Sequence, residues 1–148
     1  MAIKKKMDPV VHFEMPYEDR DRMVDFYTTV FGWEANKLGA EMGNYVVLMT
    51  SETNEQTHLP KEPGRIGGGF FERSEDVRCP LITIAVDDIR KAMKKVQDAG
   101  GVIIGGRVEG QPDDIPGVGL YIAFVDTEGN RVSLLQPREM SGIASSPV

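Results

Sequence analysis

The same order of predicted secondary-structure elements occurs in two stretches of this chain, HFEMPYEDRDRMVDFYTTVFG at residues 12–32 and LITIAVDDIRKAMKKVQDAGG at residues 81–101. Each stretch opens with a strand-like segment and continues with apolar residues at helical spacing. Each also ends in glycine, which favours a helix C-terminus, and Gly32 and Gly101 are 69 residues apart. The matched order and spacing predict an internal repeat.

Three further strands are predicted after each helix. They are expected at residues 33–38, 44–50 and 66–71 in the first half, and at residues 102–104, 120–125 and 131–136 in the second. The strand before the first helix alternates apolar and polar residues from Val10 and is expected to end at Pro16. Residues 51–65 and 105–119 are rich in turn-forming residues, which predicts loops.

Each half therefore predicts a βαβββ module, one at residues 9–72 and the other at residues 73–137. Residues 1–8 are predicted to be an N-terminal extension, and residues 138–148 a mobile tail. The helical stripes expected to supply the core are Met23, Phe26, Tyr27, Val30 and Phe31 in the first helix, and Ile89, Ala92, Met93 and Val96 in the second.

The composition narrows the class of protein. Of the 148 residues, 41% are hydrophobic, which excludes a wholly disordered chain. The 17 basic and 23 acidic residues give a net charge of −6, which argues against nucleic acid as a partner. No segment has the roughly 18 apolar residues of a membrane-spanning helix, and no signal segment follows the N-terminus, so neither a membrane nor secretion is predicted. The single cysteine, Cys79, suits a reducing, cytoplasmic setting.

Short motifs add a family resemblance. The first helix ends in Phe26-Tyr27-x-x-Val30-Phe31-Gly32-Trp33, and the last predicted turn reads Phe124-Val125-Asp126-x-Glu128-Gly129-Asn130. With the repeat, these motifs make the chain resemble the vicinal oxygen chelate superfamily, which includes glyoxalases, bleomycin-binding proteins and ring-cleaving dioxygenases. The resemblance implies an α+β fold in which two tandem βαβββ modules form a curved mixed sheet around a cleft. It also implies a homodimer.

Metal-dependent members of that superfamily hold an ion with four strand side chains, two from each module. By resemblance these positions fall on His12 and near Gly69 in the first module, and on Leu81 and Ser133 in the second. Glycine and leucine offer no donor atom, and a serine hydroxyl is a poor ligand for a divalent ion. His12 is the one retained ligand-type residue, so we predict no metal and no other cofactor.

His12 and Glu14 share one face of the first strand, opposite Phe13 and its apolar neighbours. They are the candidate catalytic residues if they act as an acid/base pair, and otherwise they anchor a ligand. A second interpretation leaves them as hydrogen-bonded remnants of a metal-binding ancestor. A third places a metal on them, with Glu72 or His58 as a further ligand.

Three residues of the second half are predicted to join His12 and Glu14 in binding a ligand: Thr83, Tyr121 and Ser133. Tyr121 has a counterpart in Tyr45, since both follow a glycine at equivalent places in the repeat. The parity of their strands leaves open whether each tyrosine faces the cleft or the core.

We therefore predict a metal-independent member of this superfamily that binds a small organic molecule in the cleft between the modules. Whether it also catalyses a reaction stays open. One alternative is a metal-dependent lyase or dioxygenase with an atypical ligand set. Another is an interaction module for a larger enzyme.

Overall fold

The computed structural model describes residues 6–138. These residues divide into two compact units, an N-terminal unit of Val11–Ile82 and a C-terminal unit made of the described residues on either side of it. Each unit packs an α-helix on a sheet with both parallel and antiparallel pairs, so the predicted α+β class is confirmed. The predicted N-terminal extension up to residue 5 and the predicted tail from residue 139 lie outside the described residues.

The N-terminal unit has the predicted βαβββ order. Its elements are β1 (Val10–Tyr17), α1 (Arg20–Phe31), β2 (Glu34–Lys37), β3 (Val46–Met49) and β4 (Gly67–Glu72), with a 3-10 turn at Ala40–Met42. The sheet order is β2-β3-β4-β1, with β1 and β4 parallel and the other neighbours antiparallel. β1 continues through Pro16 to Tyr17 instead of ending at the proline. Proline lacks only a backbone donor, so a strand tolerates it where the ladder does not need that N–H.

The C-terminal unit repeats this order with one addition. Its elements are β5 (Leu81–Ala85), α2 (Ile89–Asp98), β6 (Val102–Ile104), β7 (Asp113–Ile115), β8 (Gly119–Val125) and β9 (Arg131–Pro137). β5 and β9 are parallel, β8 lies beside β9, and both β6 and β7 pair with β8. β7 lies in the segment predicted to be a loop, and that prediction is wrong for its three residues. So short a strand shows no period-two pattern and is defined by its pairing alone.

Both helices begin at equivalent aspartates. Asp19 caps α1 by accepting a hydrogen bond from the backbone N–H of Arg22 at 3.0 Å, and Asp88 caps α2 by accepting one from Lys91 at 3.1 Å. Such caps satisfy a backbone donor that the helix leaves without a partner. The two aspartates are 69 residues apart, which is the spacing of the repeat. α1 ends at Gly32 in the left-handed conformation with φ of 72°, as predicted.

Each unit has its own hydrophobic core between helix and sheet. The predicted stripe of α2 is confirmed, because Ile89, Ala92, Met93 and Val96 all pack in the C-terminal core. The stripe of α1 is partly wrong: Met23 and Tyr27 pack in the N-terminal core around Val24, whereas Phe26, Val30 and Phe31 are 55%, 55% and 59% exposed. These three residues form a flank of α1 that lies outside the core, and the rings of Phe26 and Phe31 pack edge to face there. Within residues 6–138 neither helix is long and apolar enough to cross a bilayer.

Candidate functional site

The face of each sheet that points away from its helix carries the predicted site residues, and we call it the distal face. In the N-terminal unit, Phe13 and Met15 of β1 pack in the core. Because side chains alternate along a strand, His12 and Glu14 lie on the distal face. This is the orientation that the sequence pattern predicted.

His12 and Tyr45 form a hydrogen-bonded pair on the distal face of the N-terminal unit. The Nε2 atom of His12 lies 2.9 Å from the hydroxyl oxygen of Tyr45. Tyr45 immediately precedes β3, and the next residue, Val46, is fully buried in the core. Alternation therefore turns Tyr45 to the opposite side, which resolves the parity that the sequence left open.

Gly69 makes room for this pair. It lies in β4, in register with Glu14 of β1. A Cβ atom at residue 69 would overlap the hydroxyl of Tyr45, so the strand can pass beneath the phenol only as glycine. On the opposite face, a Cβ atom at Gly68 would overlap the ring of Phe13. The glycine run therefore allows close side-chain packing on both faces of the sheet.

Burial sets the charge state of His12. It lowers the pKa of the imidazole below its ordinary value, because the charged form loses solvation, and the nearby Glu14 carboxylate raises that pKa by a smaller amount. The imidazole is therefore uncharged at neutral pH. Glu14 is itself buried, with 9% of its surface exposed. A neutral imidazole near a buried carboxylate can accept a proton from a bound molecule.

The C-terminal unit brings its three predicted ligand-binding residues together on its own distal face. Thr83 and Ser133 are directly opposed across β5 and β9, and the hydroxyl of Tyr121 lies 2.5 Å from Ser133 Oγ. Thr83 is 2% exposed and Ser133 is fully buried. Within the described part of the chain, Thr83 Oγ1 has no hydrogen-bond partner. Three hydroxyls thus gather at the positions that Glu14, Gly69 and Tyr45 occupy in the N-terminal unit.

The two distal faces match residue by residue. The rows in register are Glu14, Gly69 and Val47 in the N-terminal unit, and Thr83, Ser133 and Ala123 in the C-terminal unit. Tyr45 and Tyr121 each precede the last member of their row by two residues. The tyrosine equivalence inferred from the repeat is therefore confirmed by the strand register.

The residues at the family's metal positions do not fit a divalent ion. Gly69 has no side chain, and the phenol of Tyr45 fills the space that one would occupy. Ser133 is hydrogen-bonded to Tyr121, and His12 already directs Nε2 toward Tyr45. Across residues 6–138, no three His, Cys, Asp or Glu side chains are grouped so that they could hold a metal ion.

The further metal ligands considered for His12 are placed elsewhere. Glu72 is in register with Tyr17, five residues along β1 from His12, which is about 17 Å in a strand. Tyr17 packs in the core, so Glu72 belongs to the opposite face of the sheet. His58 is exposed in the loop between β3 and β4. The structure brings neither residue to His12.

Two surface pockets lie away from the distal faces. One, of about 490 Å³, lies between α2 and residues 110–112, with Arg90 and Lys94 in its lining. The other, of about 540 Å³, lies beside Tyr17 and Arg73. Both have mixed polar and apolar linings on charged surface, and neither includes His12, so the distal faces remain the candidate site.

Tyr45 is the site residue to which the sequence reasoning did not commit. Two signals point to it in combination. One is its equivalence to Tyr121 in the repeat, and the other is the glycine at position 69, since an interior strand glycine marks a close approach. The contact itself depends on strand register, which the sequence alone does not provide.

Known proteins share this architecture. The sequence model of the Glyoxalase/Bleomycin resistance protein/Dioxygenase superfamily matches residues 10–134. No curated protein matches the chain by sequence.

Solved structures resemble the chain at low sequence identity. A hypothetical protein from Bacillus halodurans C-125 superposes with a TM-score of 0.63 at 12% identity, over 92% of this chain and 99% of that one. Mycobacterium tuberculosis methylmalonyl-CoA epimerase gives 0.59 at 13% identity, over 88% of each chain. A variant of Streptomyces coelicolor methylmalonyl-CoA epimerase in complex with 2-nitronate-propionyl-CoA gives 0.64 at 13% identity, over 91% and 98%. At these identities the likeness concerns the fold.

Proposed function

Because the chain belongs to the glyoxalase/bleomycin resistance protein/dioxygenase superfamily, we propose that it is a metal-independent member that binds a small organic molecule at its distal faces. The observation that carries the proposal is the hydrogen bond between His12 and Tyr45. The imidazole nitrogen that would bind an ion is engaged by a phenol, and that phenol fills the space of a second ligand at Gly69. What remains is an arrangement of hydrogen-bonding groups, which suits recognition of an organic molecule.

Metal independence is tested by elemental analysis of protein purified without chelator, followed by titration with Ni²⁺, Zn²⁺, Mn²⁺ and Fe²⁺. We expect metal well below one ion per chain and no thermal stabilisation by any of the four ions. His58→Asn serves as the control for His12→Asn, because it removes the other histidine from an exposed loop. Stoichiometric metal that His12→Asn abolishes and His58→Asn retains would overturn the proposal.

Ligand binding is tested by thermal shift against a metabolite and antibiotic panel that includes bleomycin and methylmalonyl-CoA. We expect at least one compound to stabilise the protein, and Tyr45→Phe to weaken its binding about threefold to tenfold, the value of one neutral hydrogen bond. Tyr27→Phe is the matched control, since its hydroxyl contacts Met15 Sδ in the core at 3.9 Å. If no compound stabilises the protein while pull-downs recover a stable partner, the interaction-module alternative is favoured.

A second candidate function, proton transfer on the bound molecule, is favoured by the neutral state of His12. A lowered pKa keeps the imidazole uncharged at neutral pH, and an uncharged imidazole can accept a proton. The assay is incubation with methylmalonyl-CoA in deuterated buffer, with mass spectrometry to detect deuterium at carbon. We expect incorporation with the parent protein and none with His12→Asn. Equal incorporation in both would assign the exchange to another cause.

The proposal extends to assembly and location. A homodimer is supported by the exposed apolar flank of α1, formed by Phe26, Val30 and Phe31, because such side chains are stabilised when a partner covers them. Light scattering during gel filtration should give twice the chain mass, and a monomer at all concentrations would contradict it. A cytoplasmic location is supported by the exposed free thiol of Cys79, which suits a reducing compartment.

A further inference from the structure

One buried polar atom on the distal face of the C-terminal unit lacks a partner within the described residues. Thr83 Oγ1 makes no hydrogen bond there, although Thr83 is 2% exposed. A buried hydroxyl left in this state costs about 1–3 kcal/mol. Ser133 lies directly across the strand pair. An atom that satisfied Thr83 would therefore also lie beside the Ser133 hydroxyl.

Arg131 brings an unpaired cation to the same face. It precedes Ser133 by two residues on β9, so the two side chains project in the same direction about 7 Å apart. Arg131 is half-buried, and its side chain makes no hydrogen bond or ion pair with the described residues. The acidic residue of the preceding turn, Asp126, is occupied by the backbone N–H groups of Glu128 and Asn130. The guanidinium of Arg131 is therefore available to a bound ligand.

We propose that Thr83, Ser133 and Arg131 form a carboxylate-binding subsite, so that the small organic molecule of the proposed function is an organic acid. The inference rests on that function and specifies the chemistry of its ligand. A guanidinium binds a carboxylate through two parallel hydrogen bonds, and the proton of the Thr83 hydroxyl supplies a further donor. The Thr83 hydroxyl can donate its proton to an acceptor atom, which a carboxylate provides.

Asp113, the acidic residue that the described part of β7 places on this face, does not compete for the guanidinium. Asp113 of β7 is in register with Tyr121, and its carboxylate accepts a hydrogen bond from the backbone N–H of Arg107 at 2.8 Å. Arg131 is in register with Val125, four residues farther along β8, which is about 13 Å. On the distal face, the positive charge of Arg131 is thus separated from the negative charge of Asp113.

The first arm of the test needs no ligand. Thr83→Val removes a hydroxyl that has no partner, so we expect a melting temperature equal to or above that of the parent protein. Thr50→Val is the matched control, because the Thr50 hydroxyl donates to the carbonyl of Ile66 at 2.5 Å, and its loss should lower the melting temperature. If Thr83→Val is destabilised as much as Thr50→Val, an internal water already satisfies the hydroxyl and the proposal is overturned.

The second arm uses nitrogen-15 NMR of the full chain with acetate, propionate and benzoate, each paired with its primary amide, and with inorganic phosphate. We expect the acids to shift the amide signals of Thr83, Arg131 and Ser133, and the amides to have little effect. Arg131→Gln should weaken acid binding about tenfold or more, and Thr83→Val about threefold. Arg138→Gln is the control, because that arginine is paired with Asp114 and binding should be unchanged.

Several outcomes would overturn the subsite. They are no acid-induced shift at these residues, equal shifts from acids and amides, a preference for phosphate, or acid binding that survives Arg131→Gln. The proposed function is judged separately, because a panel compound whose binding needs Tyr45 but not Arg131 leaves that function standing while the subsite fails.

Discussion

The N-terminal and C-terminal units share a frame of strands and differ in what their distal faces present. The N-terminal face carries the imidazole of His12 and the carboxyl group of Glu14, and the C-terminal face carries the hydroxyls of Thr83 and Ser133. In both units a tyrosine reaches over the strand that runs parallel to the first one. The fold therefore depends on the core-facing residues and allows the residues of the distal faces to differ. Two copies of one repeat can thus keep the same architecture and carry different chemical groups.

The largest expected effect on stability distinguishes Gly68, which faces the core, from Gly69, which faces the distal side of β4. Gly68→Ala forces a methyl group against the Phe13 ring inside the core, and we expect a loss of about 2 kcal/mol or more in the free energy of unfolding. Gly69→Ala should lower the free energy of unfolding by less, because the Tyr45 side chain can move away. The same substitution should break the hydrogen bond between Tyr45 and His12. Urea denaturation measures the first effect and the NMR signals of His12 the second. Equal losses with an unchanged His12 signal would contradict this distinction.

A smaller effect tests the equivalence of the helices. Asp19→Ala and Asp88→Ala each remove an N-cap, and each should lower the free energy of unfolding by about 1 kcal/mol. Asp25→Ala, at an exposed position within α1, is the control and should stay within about 0.5 kcal/mol of the parent protein. A loss of stability in only one of the two variants would show that the two N-caps contribute unequally to the stability of the protein.

The smallest effect is a pH dependence that belongs to the N-terminal unit. The pKa of His12 is lower in the folded protein than in the unfolded chain, so the unfolded chain binds more protons as the pH falls. The stability that depends on neutral His12 is present above about pH 6.5, the ordinary histidine value, and is lost as the pH falls toward the folded-state pKa.

Urea midpoints measured from about pH 8 down to about pH 5 should therefore fall less steeply for His12→Asn than for the parent protein. His58→Asn, which changes the other histidine, should follow the parent curve. A His12→Asn curve parallel to that of the parent would contradict the assignment.

The sequence predicted features that depend on local chemistry and on the repeat. The α2 stripe, the glycine that ends α1 and the distal placement of His12 follow from periodicity and capping, and all agree with the structure. The exposed flank of α1 was not predictable in the same way. Phe26 fits an apolar stripe, and only its exposure in the folded structure shows that it lies outside the core.

The candidate site was predictable only in part. The pairing of Ser133 with Tyr121 agrees with two residues named from the sequence, but the contact between His12 and Tyr45 requires a register that joins three strands. Arg131 was missed because a charged residue after a turn is ordinarily solvated. Its lack of a partner and its place beside a buried hydroxyl become visible only when strands β5 and β9 are paired.

Gly69 of β4 has a consequence for how this protein can diversify. Because Gly69 adds no side chain, the local shape of the N-terminal distal face is set by a residue from outside that strand, Tyr45. A substitution at position 45 can therefore reshape the binding surface while the strand beneath and the core behind it stay unchanged. Among close relatives that differ in ligand preference, we expect the residue at the position of Tyr45 to vary first and the glycine at the position of Gly69 to stay unchanged.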